Sequence, residues 1–163
     1  GTQYLRPLFH VSNFYFTGYS MLDSASILEE LYSLDGKRAL ITGASGGIGR
    51  ALSVGLARAG AIVGLHGTNV DNLNETLRLV QEAGGQGHIL LADLSSMSET
   101  EDLIQSAVST LGGLDILVNN AGMNRRMKLV EFTEDDYDTI LNVNLKSIFF
   151  PFNFRSPPNS NLN

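Results

Sequence analysis

Leu40-Ile41-Thr42-Gly43-Ala44-Ser45-Gly46-Gly47-Ile48-Gly49-Arg50 opens on an apolar run and closes on a helical pattern. The run from Ala39 to Ile41 is too short for a helix and reads as a strand. From Ile48 onward, Ile48, Ala51, Leu52, Gly55 and Leu56 recur at i, i+3, i+4 spacing, which predicts a helix with that face on the core. Between strand and helix lie Gly43, Gly46, Gly47 and Gly49. Glycine lets the chain take φ > 0 and lets a ligand come close to the backbone. The free N–H groups at the helix start would then face that ligand with the positive end of the helix dipole. Glycines alone also fit an ordinary turn, but strand before and helix after favour a diphosphate cradle of the dinucleotide-binding kind. A P-loop is excluded, because Arg50-Ala51 stands where Lys-Ser/Thr is required.

The 163 residues suffice for one domain with its own core. Apolar residues make up 43% and charged residues 17%, the balance of a globular chain rather than a disordered one. Net charge is −6 and no basic run exceeds two residues, which argues against a nucleic-acid partner. Cysteine is absent, so there is no disulfide or thiolate chemistry; nothing argues for secretion, and the cytoplasm is the expected compartment. His10, His66 and His88 share no metal-ligand spacing, so no metal site is expected. No apolar stretch approaches the roughly 18 residues of a membrane span.

Residues 1–22 hold no acidic residue and many aromatics, among them Tyr4, Phe9, Phe14, Tyr15, Phe16 and Tyr19. With one arginine and no long apolar core they make a poor targeting peptide, although organellar targeting is the alternative they leave. Residues 1–33 are therefore read as an extension outside the fold, with a short helix over 24–34. Asp35-Gly36 then turns the chain into the first strand. Ala61 to His66 reads as a second strand, and Asp71 to Ala83 as a helix with Leu73, Leu77 and Val80 on one face. His88 to Ala92 reads as a third strand. Ser98-Glu99-Thr100-Glu101 reads as a capping box, ahead of a helix facing the core through Leu103, Ile104, Ala107, Val108 and Leu111. Leu114 to Val118 is the fourth strand, and Thr133 caps a helix whose expected core face runs Tyr137, Ile140, Leu141, Leu145, Ile148, Phe149. Such alternation with short connections predicts right-handed βαβ units and a parallel sheet, an α/β fold. After Pro151 the composition turns to Pro, Ser and Asn, and 151–163 reads as a disordered tail.

Ligands of open α/β sheets gather at the carboxyl ends of the strands. An acidic residue about 20 positions after the glycines would bind the ribose 2′-OH of NAD. Here that place falls at His66-Gly67-Thr68-Asn69, with no carboxylate, which leaves room for a 2′-phosphate and favours NADP over NAD. Asp93-Leu94 follows the third strand, where a short acidic side chain could meet an adenine amino group or simply cap a turn. Asn119-Asn120-Ala121-Gly122 follows the fourth strand; by itself it is a turn signal. Asn144 falls on the apolar face of its helix, where a buried amide either ties down backbone or holds a water. Arg125-Arg126 reads either as solvated surface or as recognition of an anionic substrate.

Thr42-Gly43-x3-Gly47-x-Gly49 and Asn119-Asn120-Ala121-Gly122, in register on the first and fourth strands, resemble the two signatures of the short-chain dehydrogenase/reductase family. The resemblance covers residues 34–150. It implies a Rossmann-like, doubly wound parallel sheet, here cut off after the fourth strand and the following helix. It implies NAD(P)-dependent hydride transfer to or from a small-molecule carbonyl or secondary alcohol, and a homo-oligomer. It assigns cofactor contacts to Gly43, Ser45, Gly46, Gly47, Ile48, Gly49, Thr68, Asn69, Asp93, Leu94, Asn120, Ala121 and Gly122, with Asp93 at the adenine. Asn144, in its Asn-Leu context, would be the catalytic asparagine that anchors a water in the proton relay. Within the family, Val63–Thr68 is similar to the 3-oxoacyl-[acyl-carrier-protein] reductase branch. Asn119–Arg126 and Asn142–Leu145 are similar to the gluconate 5-dehydrogenase branch. The family's catalytic Ser and Tyr-x3-Lys have no counterpart: four residues after Tyr4, Tyr15, Tyr19, Tyr32 and Tyr137 stand Leu8, Tyr19, Asp23, Gly36 and Leu141. A nucleotide-binding or subunit-interaction protein without catalysis is the alternative.

Overall fold

The computed structural model describes residues 31–149. The tail expected from residue 151, and the extension and leading helix before residue 31, lie outside them. The chain divides between Leu31 and Tyr32, and every element named here belongs to the second unit.

Four strands, β1 (Arg38–Ile41), β2 (Ile62–Gly67), β3 (Gln86–Leu91) and β4 (Ile116–Val118), form one sheet in the order β3-β2-β1-β4, all parallel. The helices α1 (Gly47–Arg58), α2 (Val70–Glu82) and α3 (Met97–Leu111) make the connections. A 3-10 turn (Leu129–Glu131) and α4 (Glu134–Leu141) follow β4. A π-helical turn (Asn142–Lys146) then carries α4 into the short α5 (Ser147–Phe149). The α/β fold expected from the sequence is the one observed.

Strand alternation distributes the core to two faces. Ala39 and Ile41 of β1 pack with Ala57, Val63, Leu65, Leu73 and Val80 on the side of α1 and α2. Leu40, between them, packs with Leu90, Leu103, Ile104 and Ala107 on the side of α3. Both faces being covered explains why β1 and β2 read as continuous apolar runs. The order also places the reversal of winding between β1 and β4, above which a ligand crevice opens in such sheets.

Three expectations need correcting. Most of the expected core face of α1 turns outward: Ile48 is 73% exposed and Leu52 39%, and of that face Leu56 packs against the core, while Gly49, Ser53 and Ala57 are buried. The side chains buried beneath the helix are its small ones, with Val54 and Leu56 packing partly buried against the same core. A Cβ on Gly49 would run into the carbonyl oxygen of Gly43. The capping box at Ser98–Glu101 does not form either. Ser96 is the N-cap, its hydroxyl accepting from Glu99 N (3.4 Å), and the Glu99 carboxylate turns back to accept from Asp93 N (2.8 Å). Finally, on the expected core face of the last helix, Tyr137, Leu145 and Phe149 are largely exposed, and nothing among the described residues covers them. The Thr133 cap, by contrast, is present as a full box with Asp136.

Candidate nucleotide-binding site

A cleft of about 540 Å³ opens over the carboxyl ends of the strands. Gly43 and Ser45 after β1, His66 to Thr68 at the end of β2, and Ala92 to Ser95 after β3 line it. Ala121, Gly122, Met123 and Arg125 after β4, with Thr139 and Val143 near α4, complete the wall.

The β1 side is built by glycine. Gly43 takes φ +68°, and a Cβ there would lie 2.9 Å from Ala121 Cα. Gly47 opens α1 at φ +53°. Helices α2, α3 and α4 are each capped by a side chain, from Asn69, Ser96 and Thr133. Helix α1 is not: its N-cap is Gly46, with no side-chain cap hydrogen bond. The first N–H groups of α1 are therefore left for water or a ligand. Ile48 is exposed at this end.

The fourth-strand turn is latched to the first. Thr42 Oγ1 donates to Val118 O (3.2 Å) and accepts from the backbone N–H groups of Asn120 and Ala121 (3.0 Å each). Asn120 Nδ2 donates to the carbonyls of Thr42 (3.0 Å) and Gly43 (3.2 Å). Asn120 thus fixes the cradle's backbone and does not itself line the cleft, whereas Ala121 and Gly122 do. Gly46 as N-cap and Gly47, Ile48 and Gly49 form the start of α1 and are not among the residues that line this cleft.

At the end of β2, Thr68 lines the cleft, while Asn69 is committed to capping, its Oδ1 accepting from Asn72 N (2.9 Å). No carboxylate stands at this strand end. Asp93 lines the cleft with its carboxylate accepting from Ser95 N (2.9 Å), a bond that holds its pKa below the usual range. Leu94 reaches the cleft although its side chain belongs to the core beside Leu40 and Leu103.

His66 was not singled out by sequence. It is 2% exposed and its Nε2 donates to Ala92 O (3.1 Å). Since a carbonyl only accepts, the proton sits on Nε2; Nδ1 is left with no partner among the described residues. Burial lowers its pKa, outweighing the Ala92 bond and the charge of Asp93, so the ring is neutral at pH 7.

Asn144 is exposed rather than buried in an apolar face. Its Oδ1 accepts from Met123 N (2.7 Å) and its Nδ2 donates to Met123 O (2.9 Å), so the amide ties down the loop after β4. It stands in the π-helical turn, an irregularity common at functional sites. Arg125 lines the cleft and donates to the Asp136 carboxylate, whose pKa is lowered chiefly by its bonds to Thr133 and then by Arg125. The Arg125 side chain is thus anchored, and Arg126 is exposed.

A strand–glycine loop–helix with an uncapped helix start, latched to an Asn-Asn-Ala-Gly turn beside a β1/β4 reversal, is a specific combination. A family model described as short chain dehydrogenase matches residues 37–155. The chain belongs to the short-chain dehydrogenase family. It is 43% identical over 119 residues to the 2-dehydro-3-deoxy-D-gluconate 5-dehydrogenase of Dickeya dadantii, covering 73% of this chain and 46% of that protein. It is 43% identical over 103 residues to the short-chain dehydrogenase/reductase homolog YusS of Bacillus subtilis, covering 61% of this chain and 94% of that protein. Among solved structures, a 3-oxoacyl (acyl-carrier-protein) reductase of Agrobacterium tumefaciens with NADP bound superposes at a TM-score of 0.72 and 36% identity, over 80% of this chain and 50% of that one. The chain spans about half the length of the first curated relatives it matches. No helix among the described residues is long and apolar enough to cross a membrane.

Proposed function

We propose that this chain binds a nicotinamide dinucleotide in the cleft, NADP in preference to NAD, as the cofactor-binding part of a short-chain oxidoreductase. The observation that carries this reading is the cradle itself. Gly43 and Gly49 let the loop pack tightly on Ala121 and on its own carbonyl, a Cβ on Gly46 or Gly47 would meet no protein atom within 4 Å, and the uncapped start of α1 offers N–H donors to an anion. The backbone is thus bare where a diphosphate would approach. The preference for NADP rests on Thr68 and Asn69 at the end of β2, where a carboxylate would repel a 2′-phosphate. The cofactor would supply the hydride acceptor or donor. Gly43, Ser45 and the start of α1 would hold its diphosphate, Asp93 the adenine end, and Ala121 and Gly122 the side nearer α4.

The parent reaction is hydride transfer between nicotinamide and a carbonyl or secondary alcohol. The names of the relatives suggest a 3-oxoacyl thioester or a sugar acid. Asn144 would take part through a water in the proton relay, and a homo-oligomer would be the assembled form. A second reading, a nucleotide-binding protein without turnover, is favoured by one observation: no tyrosine of the chain has a lysine four residues on.

Fluorescence titration of the purified chain with NADPH and NADH tests the first reading, with tighter NADPH binding expected. Tighter NADH binding would overturn the preference, and no binding of either would overturn the site. NADPH-dependent reduction of a ketone by this chain would reject the second reading.

A further inference from the structure

Two side chains outside the cleft decide which way the cradle's peptides face. Thr76 lies on the buried face of α2 between Leu73 and Val80, fully buried and polar among apolar neighbours. Its Oγ1 lies 2.9 Å from Ala44 O and 3.1 Å from Asn72 O. The hydroxyl has one proton to give, and Ala44 O is the nearer of the two acceptors, while Asn72 O also accepts from Arg50 Nη2 (3.3 Å). Arg50 Nε in turn donates to Thr76 Oγ1 (3.0 Å), and Nη2 also to Ser45 O (2.9 Å). Consecutive carbonyls, those of Ala44 and Ser45, are thereby pulled toward α2.

A trans peptide is planar, so its N–H points opposite to its C=O, and no peptide of the described residues is cis. The N–H groups of Ser45 and Gly46 must then face away from α2, on the side where Ser45 lines the cleft. Neither has an acceptor among the described residues. Successive N–H groups facing one way form an anion-binding concavity.

We infer that Arg50 and Thr76 are positioning residues that pin the carbonyls of Ala44 and Ser45 and so aim the Ser45 and Gly46 amides at the phosphates of the bound dinucleotide. The inference rests on the dinucleotide reading above and deepens it. Neither side chain touches the ligand. Both act through the backbone of the loop.

The test compares a phosphate-bearing ligand with one lacking phosphate. NADPH and adenosine are titrated by calorimetry into the full chain, wild type and the variants Thr76→Val, Thr76→Ser and Arg50→Lys. Thr76→Val keeps shape without the hydroxyl, and Arg50→Lys keeps charge without the fork. Each should weaken NADPH binding about tenfold while adenosine affinity stays within about twofold, because one or two pinned donors are lost and the adenine end is untouched. Thr76→Ser should restore NADPH affinity. Thermal unfolding of each variant checks that it is folded, and should Thr76→Val unfold, the partly exposed Arg50→Lys decides. Unchanged NADPH affinity, or parallel loss of both ligands, would overturn the positioning role while leaving the dinucleotide reading in place. A wild-type chain that binds no dinucleotide would overturn that reading, and this inference with it.

Discussion

Gly49 and Gly55 share one helix and differ in what a methyl group would meet. At Gly49 it would strike the Gly43 carbonyl and the Asn120 side chain, while at Gly55 there is open space. Gly55→Ala should therefore raise stability by about 0.5–1 kcal/mol, the helix-propensity gain. Gly49→Ala should lower it by about 1–3 kcal/mol, the range for overpacking, and abolish NADPH binding; urea unfolding and titration read both. Equal effects would show that the loop can yield. His66 makes a second residue-scale prediction. Its folded pKa lies below the ordinary 6.5 because the ring is buried. The neutral form is thus the one the fold accepts: stability is full above about pH 6.5 and falls as pH drops through the lowered folded value. The melting temperature of the wild type should decline below about pH 6.5 more steeply than that of His66→Gln, and parallel curves would exclude titration of this ring. Sequence marked Gly43 and Gly49 because their spacing is local. It did not mark His66, whose ring finds its hydrogen-bond partner at Ala92, 26 residues away, nor Thr76, whose only local signal is a polar residue on an apolar helical face.

Helix entry was legible where the cap and its partner are neighbours in the chain, and misread where a distant backbone group competes. At Thr133 the box closes on Asp136: Thr133 Oγ1 accepts from Asp136 N (3.2 Å) and Asp136 Oδ2 accepts from Thr133 N (3.1 Å). At α3 the Ser-x2-Glu pattern occurs twice over, as Ser96–Glu99 and Ser98–Glu101, and the turn after β3 chooses the earlier because Glu99 is needed by Asp93 N. Ser96→Ala should then cost about 1 kcal/mol, and Ser98→Ala a few tenths at most. The reverse order in thermal unfolding would restore the later cap. The helix faces divide in the same way. In α2 and α3 the apolar stripe meets a sheet face and is buried as periodicity predicts. In α1 the demand for close approach at the cradle outranks periodicity, so Gly49, Ser53 and Ala57 face inward, Val54 and Leu56 are partly buried beside them, and Ile48 and Leu52 face out. In α4 and the turn after it the stripe is correctly periodic but uncovered among the described residues, which no pattern within one helix could reveal.

At the scale of the whole molecule, β1 and β4 are neighbours separated by almost eighty residues of chain, and they are joined at both ends by different chemistry. At the carboxyl end Thr42 and Asn120 stitch the cradle to the turn, and this junction faces the cleft. At the amino end Arg38 grips Asp115: Nε donates to Oδ2 (2.7 Å), Nη2 to Oδ1 (3.0 Å), and Nη1 to Gly112 O (2.6 Å). The second junction is remote from the cleft and partly exposed, so it should govern stability alone. The Arg38 bond holds the Asp115 carboxyl down to about 2 from 3.8. A depressed folded pKa contributes stability that is present above the unfolded value and disappears as pH falls through the folded one. Asp115→Asn should therefore melt below the wild type at neutral pH by an amount that stays constant down to about pH 4 and closes as pH approaches about 2. Its NADPH affinity should equal that of the wild type. A gap that persisted at pH 2 would mean the charge is not what joins the strands, and a loss of NADPH affinity would mean that the amino-end junction reaches the cradle through β1. Three buried, regularly paired strand residues, Ala39, Leu40 and Ile41, separate the two, and a strand so held transmits no slack; equal affinity is the expected result.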